Sequence, residues 1–318
     1  MASTVAQSIS FYGYILTSPL GFLGHACSLI TFFAKPLRLT STALLFICLT
    51  MVDIIYLSIS IYDFLALTIR VQVLVNFSLC RFRLFMLYCL AIIAAWILVL
   101  IALDRLIRTR FPFQQARICT RKVAAFAVVV VIVCSVAFTY HLLTPEVNFI
   151  IPGTNICQPN RYLPTTYTFF YYQIWPILQI LITYLIPSVL MILSVIGIST
   201  KIRAQRNRIG ALNHRKQLHR QMLILMLSSI VCFIICTWPF SILLIVSSRH
   251  GTSSPNSIET FILIIFLNIH YSYNFYIHCL TSRLFRKTFF EQLTRFYRWI
   301  IRSKNANAVH CLPTIERQ

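Results

Sequence analysis

Long stretches without charge constrain this chain more than any other feature. Residues 1–34 contain no Asp, Glu, Lys or Arg, and neither do 84–103, 123–145, 162–200, 221–248 and 260–282. Each is at least 20 residues long, about what a helix needs to cross the roughly 30 Å hydrocarbon core of a bilayer. A seventh stretch, 39–62, is broken only by Asp53. In hydrocarbon every backbone N–H and C=O must pair within its own segment, so the stretches are read as helices. The expected spans are 10–34, 41–67, 79–107, 122–143, 169–199, 219–247 and 257–281. The 162–200 stretch exceeds one upright helix, so its first part is read as a loop. The start lacks a basic leader region, so the first span is read as an uncleaved anchor.

Composition agrees. The chain is 58% hydrophobic and 11% charged, with a net charge of +21. A soluble domain carries about 25% charged residues, and disorder is incompatible with such apolar excess. A nucleic-acid partner would explain the charge but not the apolar bulk, so none is expected. With seven spans, 23 of the 28 Lys and Arg fall on one side. That side is cytoplasmic by the positive-inside rule, which puts the N-terminus outside. The expected architecture is an all-α seven-helix bundle, with residues 1–9 extracellular, 10–281 transmembrane, and 282–318 a short amphipathic eighth helix and tail. Of eleven cysteines only Cys80 and Cys157 lie on the oxidising side, so they read as one disulfide. The sequon Asn76-Phe77-Ser78 lies there too and is a glycosylation candidate.

The order of several short motifs resembles the rhodopsin-like (class A) G-protein-coupled receptors. Leu103-Asp104-Arg105-Leu106, followed by Pro112, resembles the Asp-Arg-Tyr box with Leu106 in place of Tyr. Cys80 stands 25 residues before Arg105, about 37 Å along a helix. Asp53 falls in mid-span 2, and Pro187 matches the helix 5 proline. Cys236-Thr237-Trp238-Pro239 resembles Cys-Trp-x-Pro with Trp shifted one place. Asn274-Phe275-Tyr276-Ile277-His278 resembles Asn-Pro-x-x-Tyr, with Phe275 for Pro and His278 for Tyr. His25 stands where the first helix usually has Asn, and Leu284-Phe285-Arg286 opens the eighth helix. The third cytoplasmic loop and the helix 7 segment are somewhat similar to those of invertebrate neuropeptide receptors.

The resemblance implies a receptor at the plasma membrane that binds an extracellular ligand and activates heterotrimeric G proteins through helix 6 movement. Asp104 and Arg105 would carry G-protein coupling, with Asp104 locking Arg105. Pro187, Trp238, Pro239, Asn274 and His278 would form the switch and hinge. Asp53 and Asn274 would hold a sodium ion or a proton; the alternative is a protonated Asp53 bonded to His25, Asn274 or backbone. Ala94 replaces the usual helix 3 serine, which removes one oxygen ligand. His270, Asn274 and His278 share a helix face without an acidic or cysteine ligand nearby. They read as a hydrogen-bonding seam toward helices 1 and 2, with no metal site.

The ligand pocket is placed at Leu87, Tyr88, Ala91, Phe240, Ser241 and Ile264. Leu87 stands where amine receptors keep an Asp, and Asn268 where opsins keep the retinal-linking Lys. Neither an amine nor a Schiff-base chromophore is therefore expected, and a peptide is favoured. Acidic Asp63, Glu146 and Glu259 on the outer rim could meet a basic peptide, and Arg70 or Arg161 an acidic C-terminus. The basic third cytoplasmic loop suits a G-protein groove or membrane lipids. The tail offers only Thr288, Thr294, Ser303 and Thr314 as phospho-acceptors, so weak arrestin recruitment is expected. The rival readings are a transporter or a non-signalling seven-helix protein. An enzyme is disfavoured, since neither an HExxH motif nor a Gly-rich phosphate loop is present.

Overall fold

The computed structural model describes residues 2–34, 39–67, 77–111, 113–150, 157–160, 163, 165–208, 227–243, 246, 258–281 and 283–310. The sequon residue Asn76, Arg70 and Arg161 of the outer rim, Pro112 of the Asp-Arg box interval, and most of the third cytoplasmic loop lie outside them.

The chain crosses as α1 (Ala2–Phe32), α2 (Ser41–Leu67), α3 (Phe77–Arg110), α4 (Arg121–Thr139), α5 (from Thr166 to Arg208), α6 (Leu227–Leu243) and α7 (Ile258–Ser272, continuing as Asn274–Thr281). The first five are long and apolar enough to span a bilayer, and α6 and α7 are shorter apolar helices. Helix α1 begins at Ala2, so residues of the expected extracellular N-terminus are a helical extension of the first span. The eighth helix, α8 (Arg283–His310), is 28 residues long.

Helix α3 is the bundle's axis. It packs against α2, α4 and α5, and it is the most buried of the spans. Helix α1 lies along α2 and α7. Between α4 and α5 a short antiparallel hairpin pairs β1 (Phe149–Ile150) with β2 (Cys157–Gln158). The Cys80–Cys157 disulfide ties this hairpin to the outer end of α3.

Buried hydroxyls in a bilayer need partners, and here they mostly find them within their own helix. Thr17, Thr31, Thr50, Ser135, Thr139, Ser188, Ser194, Thr237, Ser241 and Ser272 each donate to the carbonyl four residues back. This internal satisfaction lets small polar residues sit in lipid-embedded helices.

Helix α5 is irregular for a readable reason. Two π-helical segments, Phe170–Ile174 and Leu181–Leu185, each end two residues before a proline, Pro176 and Pro187. In the second, Ile186 N–H reaches Leu181 O, and Pro187 has no N–H to offer Ile182 O. The Trp96 indole on α3 donates to that carbonyl at 3.2 Å. The proline thus creates an acceptor, and a neighbouring helix uses it. Trp96→Phe keeps an aromatic ring but strands the carbonyl, and should cost about 1–2 kcal/mol. Thermal unfolding of detergent-solubilised protein should show a lower midpoint for the variant; an unchanged midpoint would mean that the hydrogen bond contributes nothing.

Candidate functional site

Asp53 sits in mid-α2 with 1% of its surface exposed. Its Oδ2 accepts from Asn274 Nδ2 at 2.6 Å. His25 does not join this pair; its Nε2 lies 2.7 Å from Tyr271 O, tying α1 to α7. Toward the outside the seam continues. Ser60 donates to Asn268 Oδ1 at 2.7 Å and lies 3.2 Å from the Tyr14 hydroxyl. The Ser272 hydroxyl donates to Asn268 O at 2.7 Å and lies against Thr17 O. Helices α1, α2 and α7 are therefore held by a chain of polar contacts inside an apolar shell.

The expected histidine seam is corrected by this geometry. His270 and His278 are buried among rings rather than hydrogen-bonding partners. His270 faces Phe233, Tyr271 and Tyr273, and His278 faces Phe32, Phe46 and Phe285. Helix α7 is interrupted at Tyr273 even though Phe275 replaces the family's proline. Below the break, His278 joins the aromatic cluster where α1, α2, α7 and α8 meet. Among the described residues no three His, Cys, Asp or Glu side chains gather as a metal site.

The donor set at Asp53 is also a poor fit for sodium. Hard cations take several oxygens. Here one carboxylate oxygen is already taken by the Asn274 amide, and Ala94, buried on α3, brings none.

At the cytoplasmic end of α3, Asp104 is buried and engaged on both oxygens. Ser41 donates to Oδ1 at 2.6 Å, Thr42 to Oδ2 at 2.6 Å, and Arg108 Nε to Oδ2 at 2.9 Å. Arg108 then bonds Ser41 Oγ at 2.7 Å and Cys119 O at 3.2 Å. The expected Asp104–Arg105 lock is absent among the described residues. Adjacent residues on a helix project about 100° apart, whereas Arg108, four residues on, shares the face of Asp104. Arg105 is partly buried, within electrostatic reach of Asp104, Arg108 and His278. Cys119 closes the cluster; its thiol reaches Asp104 O at 3.8 Å, and burial pushes that thiol up, so it stays protonated.

Helix α6 presents Phe233, Cys236, Thr237 and Ser241 to the interior. Trp238 is 36% exposed on the outer face, so the indole does not occupy the interior position that the shifted motif suggested. A one-residue displacement turns a side chain by about 100°, and Thr237 takes the inward place. Phe233, 1% exposed, touches Tyr184 of α5 and His270 of α7. Tyr273 donates to Ser229 O at 3.3 Å. Near the outer side, Ala91 and Ser241 are buried, while Leu87, Tyr88, Phe240 and Ile264 are partly buried. Tyr88 lies edge-on to Trp175, and Ser241 donates to Thr237 O. Arg110 of α3 reaches Gly197 O and Thr200 Oγ1 on α5 at 3.2 and 3.1 Å, a link that no motif in the sequence announces.

Residues 26–277 match the model of the 7 transmembrane receptor (rhodopsin family). The chain belongs to the rhodopsin family of seven-transmembrane receptors. No curated relative matches it. The receptor is a multi-pass plasma-membrane protein that responds to an extracellular ligand by signalling through G proteins, and it is not an enzyme.

Proposed function

We propose that this receptor binds a peptide among the outer halves of α3, α5, α6 and α7, and that binding releases the cytoplasmic half of α6. Arg105 then meets the G protein. The observation that carries this reading is the commitment of Asp104 to Ser41, Thr42 and Arg108, so that its hydrogen bonds go to those three side chains and not to Arg105. Pro187 and Pro239 each remove a backbone donor from their helices, a feature suited to hinging. Thr237, rather than Trp238, is the side chain at the interior turn before Pro239. Asn274, bonded to Asp53, and His278, within the aromatic cluster, would follow α7 as it shifts.

The peptide reading draws on an apolar wall at Leu87, Ala91 and Ile264, and on exposed acids at the rim. Glu146 is exposed. The nearby Thr144 side chain and the residue's own backbone N–H hold the Glu146 carboxyl below its usual range. It therefore keeps its charge for a basic peptide. Weak arrestin recruitment fits the tail, because Thr288 is buried and Thr294 is bonded to Phe290 O within α8.

The test is G-protein activation in cells across the G-protein families, comparing wild type with Arg105→Ala at matched surface expression. Activation should fall at least about tenfold, the effect of removing one strong charge-assisted hydrogen bond to the G protein. Equal activation in every family would reject the coupling role. An agonist activity in tissue extract that survives protease digestion would reject the peptide.

A further inference from the structure

Two free cysteines stand one turn apart on α6, and the proposed signalling uses neither. The sulfurs of Cys232 and Cys236 are 3.7 Å apart. Cys236 is 3% exposed, whereas Cys232 is half-buried. Ser229, Cys232 and Cys236 follow one another at helical spacing along one face, and Tyr273 of α7 meets that face at Ser229 O. Val231 and Ile235, exposed to the hydrocarbon, flank the face on its other side. The pair therefore lies on the seam between α6 and α7, with Cys232 at its lipid edge.

Helix geometry narrows what two such thiols can take. A disulfide needs β-carbons about 3.5–4.5 Å apart, but an intact helix holds positions one turn apart at about 5–6 Å. A zinc ion wants four ligands, and among the described residues no third His, Cys, Asp or Glu joins the pair. A centre satisfied by two sulfurs fits. One atom bonded to both at roughly 2.3 Å, the length of a metal–thiolate bond, would open an angle of about 107° across the observed gap. That suits a three-bonded pyramidal atom carrying one other substituent. We propose that Cys232 and Cys236 form a binding site for uncharged, monosubstituted trivalent arsenicals, R–As(OH)2, which reach it through the hydrocarbon. Two As–S bonds form as two As–O bonds break. Each departing hydroxide takes one thiol proton and leaves as water, and arsenic stays trivalent. The sulfurs are already adjacent, so closing the second bond orders no further chain. Cys236 lies three residues before Pro239, so the bridge would clamp α6 beside its proline. The site rests on the helix geometry and not on the signalling reading.

The test uses the purified full-length receptor in detergent, without reductant. It is treated with phenylarsine oxide and freed of unbound reagent by gel filtration, and arsenic on the intact protein is counted by mass spectrometry. One arsenic should stay on each receptor, and 2,3-dimercaptopropanol should strip it. Cys232→Ser and Cys236→Ser should each weaken retention at least about a hundredfold, the gain of two linked bonds over one. Cys27→Ser and Cys134→Ser, which change free thiols elsewhere, should leave it unchanged. Moving the first thiol round the helix, Cys232→Ser with Val231→Cys, should also lose it, because positions 231 and 236 do not share a face. No arsenic on wild type, equal retention by Cys232→Ser, or equal loss from Cys27→Ser or Cys134→Ser would overturn the site. Cys232 is half-buried and Ser is close to its size, so that variant decides the matter even if Cys236→Ser fails to fold.

Discussion

Asp104→Ala should destabilise the receptor by about 3 kcal/mol, because hydrogen bonds to a charged group are worth about 1.5–3 kcal/mol each and three end on this carboxylate. They do not simply add, since Ser41, Thr42 and Arg108 are neighbours of one another. Ser41 opens α2, so the carboxylate also faces the positive end of that helix. Arg108 is 29% exposed and recovers part of its loss from water. Asp104→Asn keeps one acceptor and should fall between Asp104→Ala and wild type. The measurement is the thermal unfolding midpoint, followed by a double-mutant cycle of Asp104 with Arg108 and with Arg105. Coupling should be about 1–2 kcal/mol to Arg108 and smaller to Arg105, which meets Asp104 only through space. Stronger coupling to Arg105, or a midpoint unmoved in Asp104→Ala, would contradict the assignment. Basal G-protein activity is the independent readout: a rise in Asp104→Asn that requires Arg105 would restore the lock expected from the Asp-Arg motif.

That difference between motif and geometry shows what kind of information the amino-acid sequence holds. The spans and their orientation are legible because charge in hydrocarbon is so costly that its absence marks the membrane. The pairing of Asp104 with Arg108 is legible as well, from their four-residue spacing on one helix, yet the family motif points to Arg105. The outward Trp238 can be read from the one-residue shift, since a helix turns each successive side chain away by a fixed angle. Ser41 and Thr42 cannot: they lie more than 60 residues from Asp104 and carry no signal beyond being the first polar pair of a span. Nor is it visible that Trp96 serves a carbonyl left by Pro187, or that α7 breaks at Tyr273 without a proline. These depend on which helix faces which, and helical periodicity is silent on that when every face is apolar.

Asn274→Leu should cost about 2–4 kcal/mol, the penalty for leaving a buried polar or charged group without its partner. Leu keeps the branched shape of Asn, so the principal loss is polar. What it removes is the amide N–H that approaches Asp53 Oδ2 at 2.6 Å. Asp53→Asn should cost less, because an amide at the same place can still accept from Asn274. The combined Asp53→Leu and Asn274→Leu variant should recover part of the single-variant loss, since replacing both partners by apolar groups leaves nothing unsatisfied. Unfolding midpoints of wild type, the two single Leu variants and their combination make the cycle; additive losses would show that the two residues do not interact. The same midpoints in sodium chloride and in choline chloride at equal ionic strength separate a hydrogen-bonded acid from a cation site. A ligand at a hundred times its dissociation constant adds about 2.7 kcal/mol of stability, so a bound sodium ion would raise the wild-type midpoint by several degrees over choline. With Asn274 already on the carboxylate and Ala94 offering no oxygen, the two salts should give the same midpoint, and α2 and α7 are joined by the protein's own hydrogen bond.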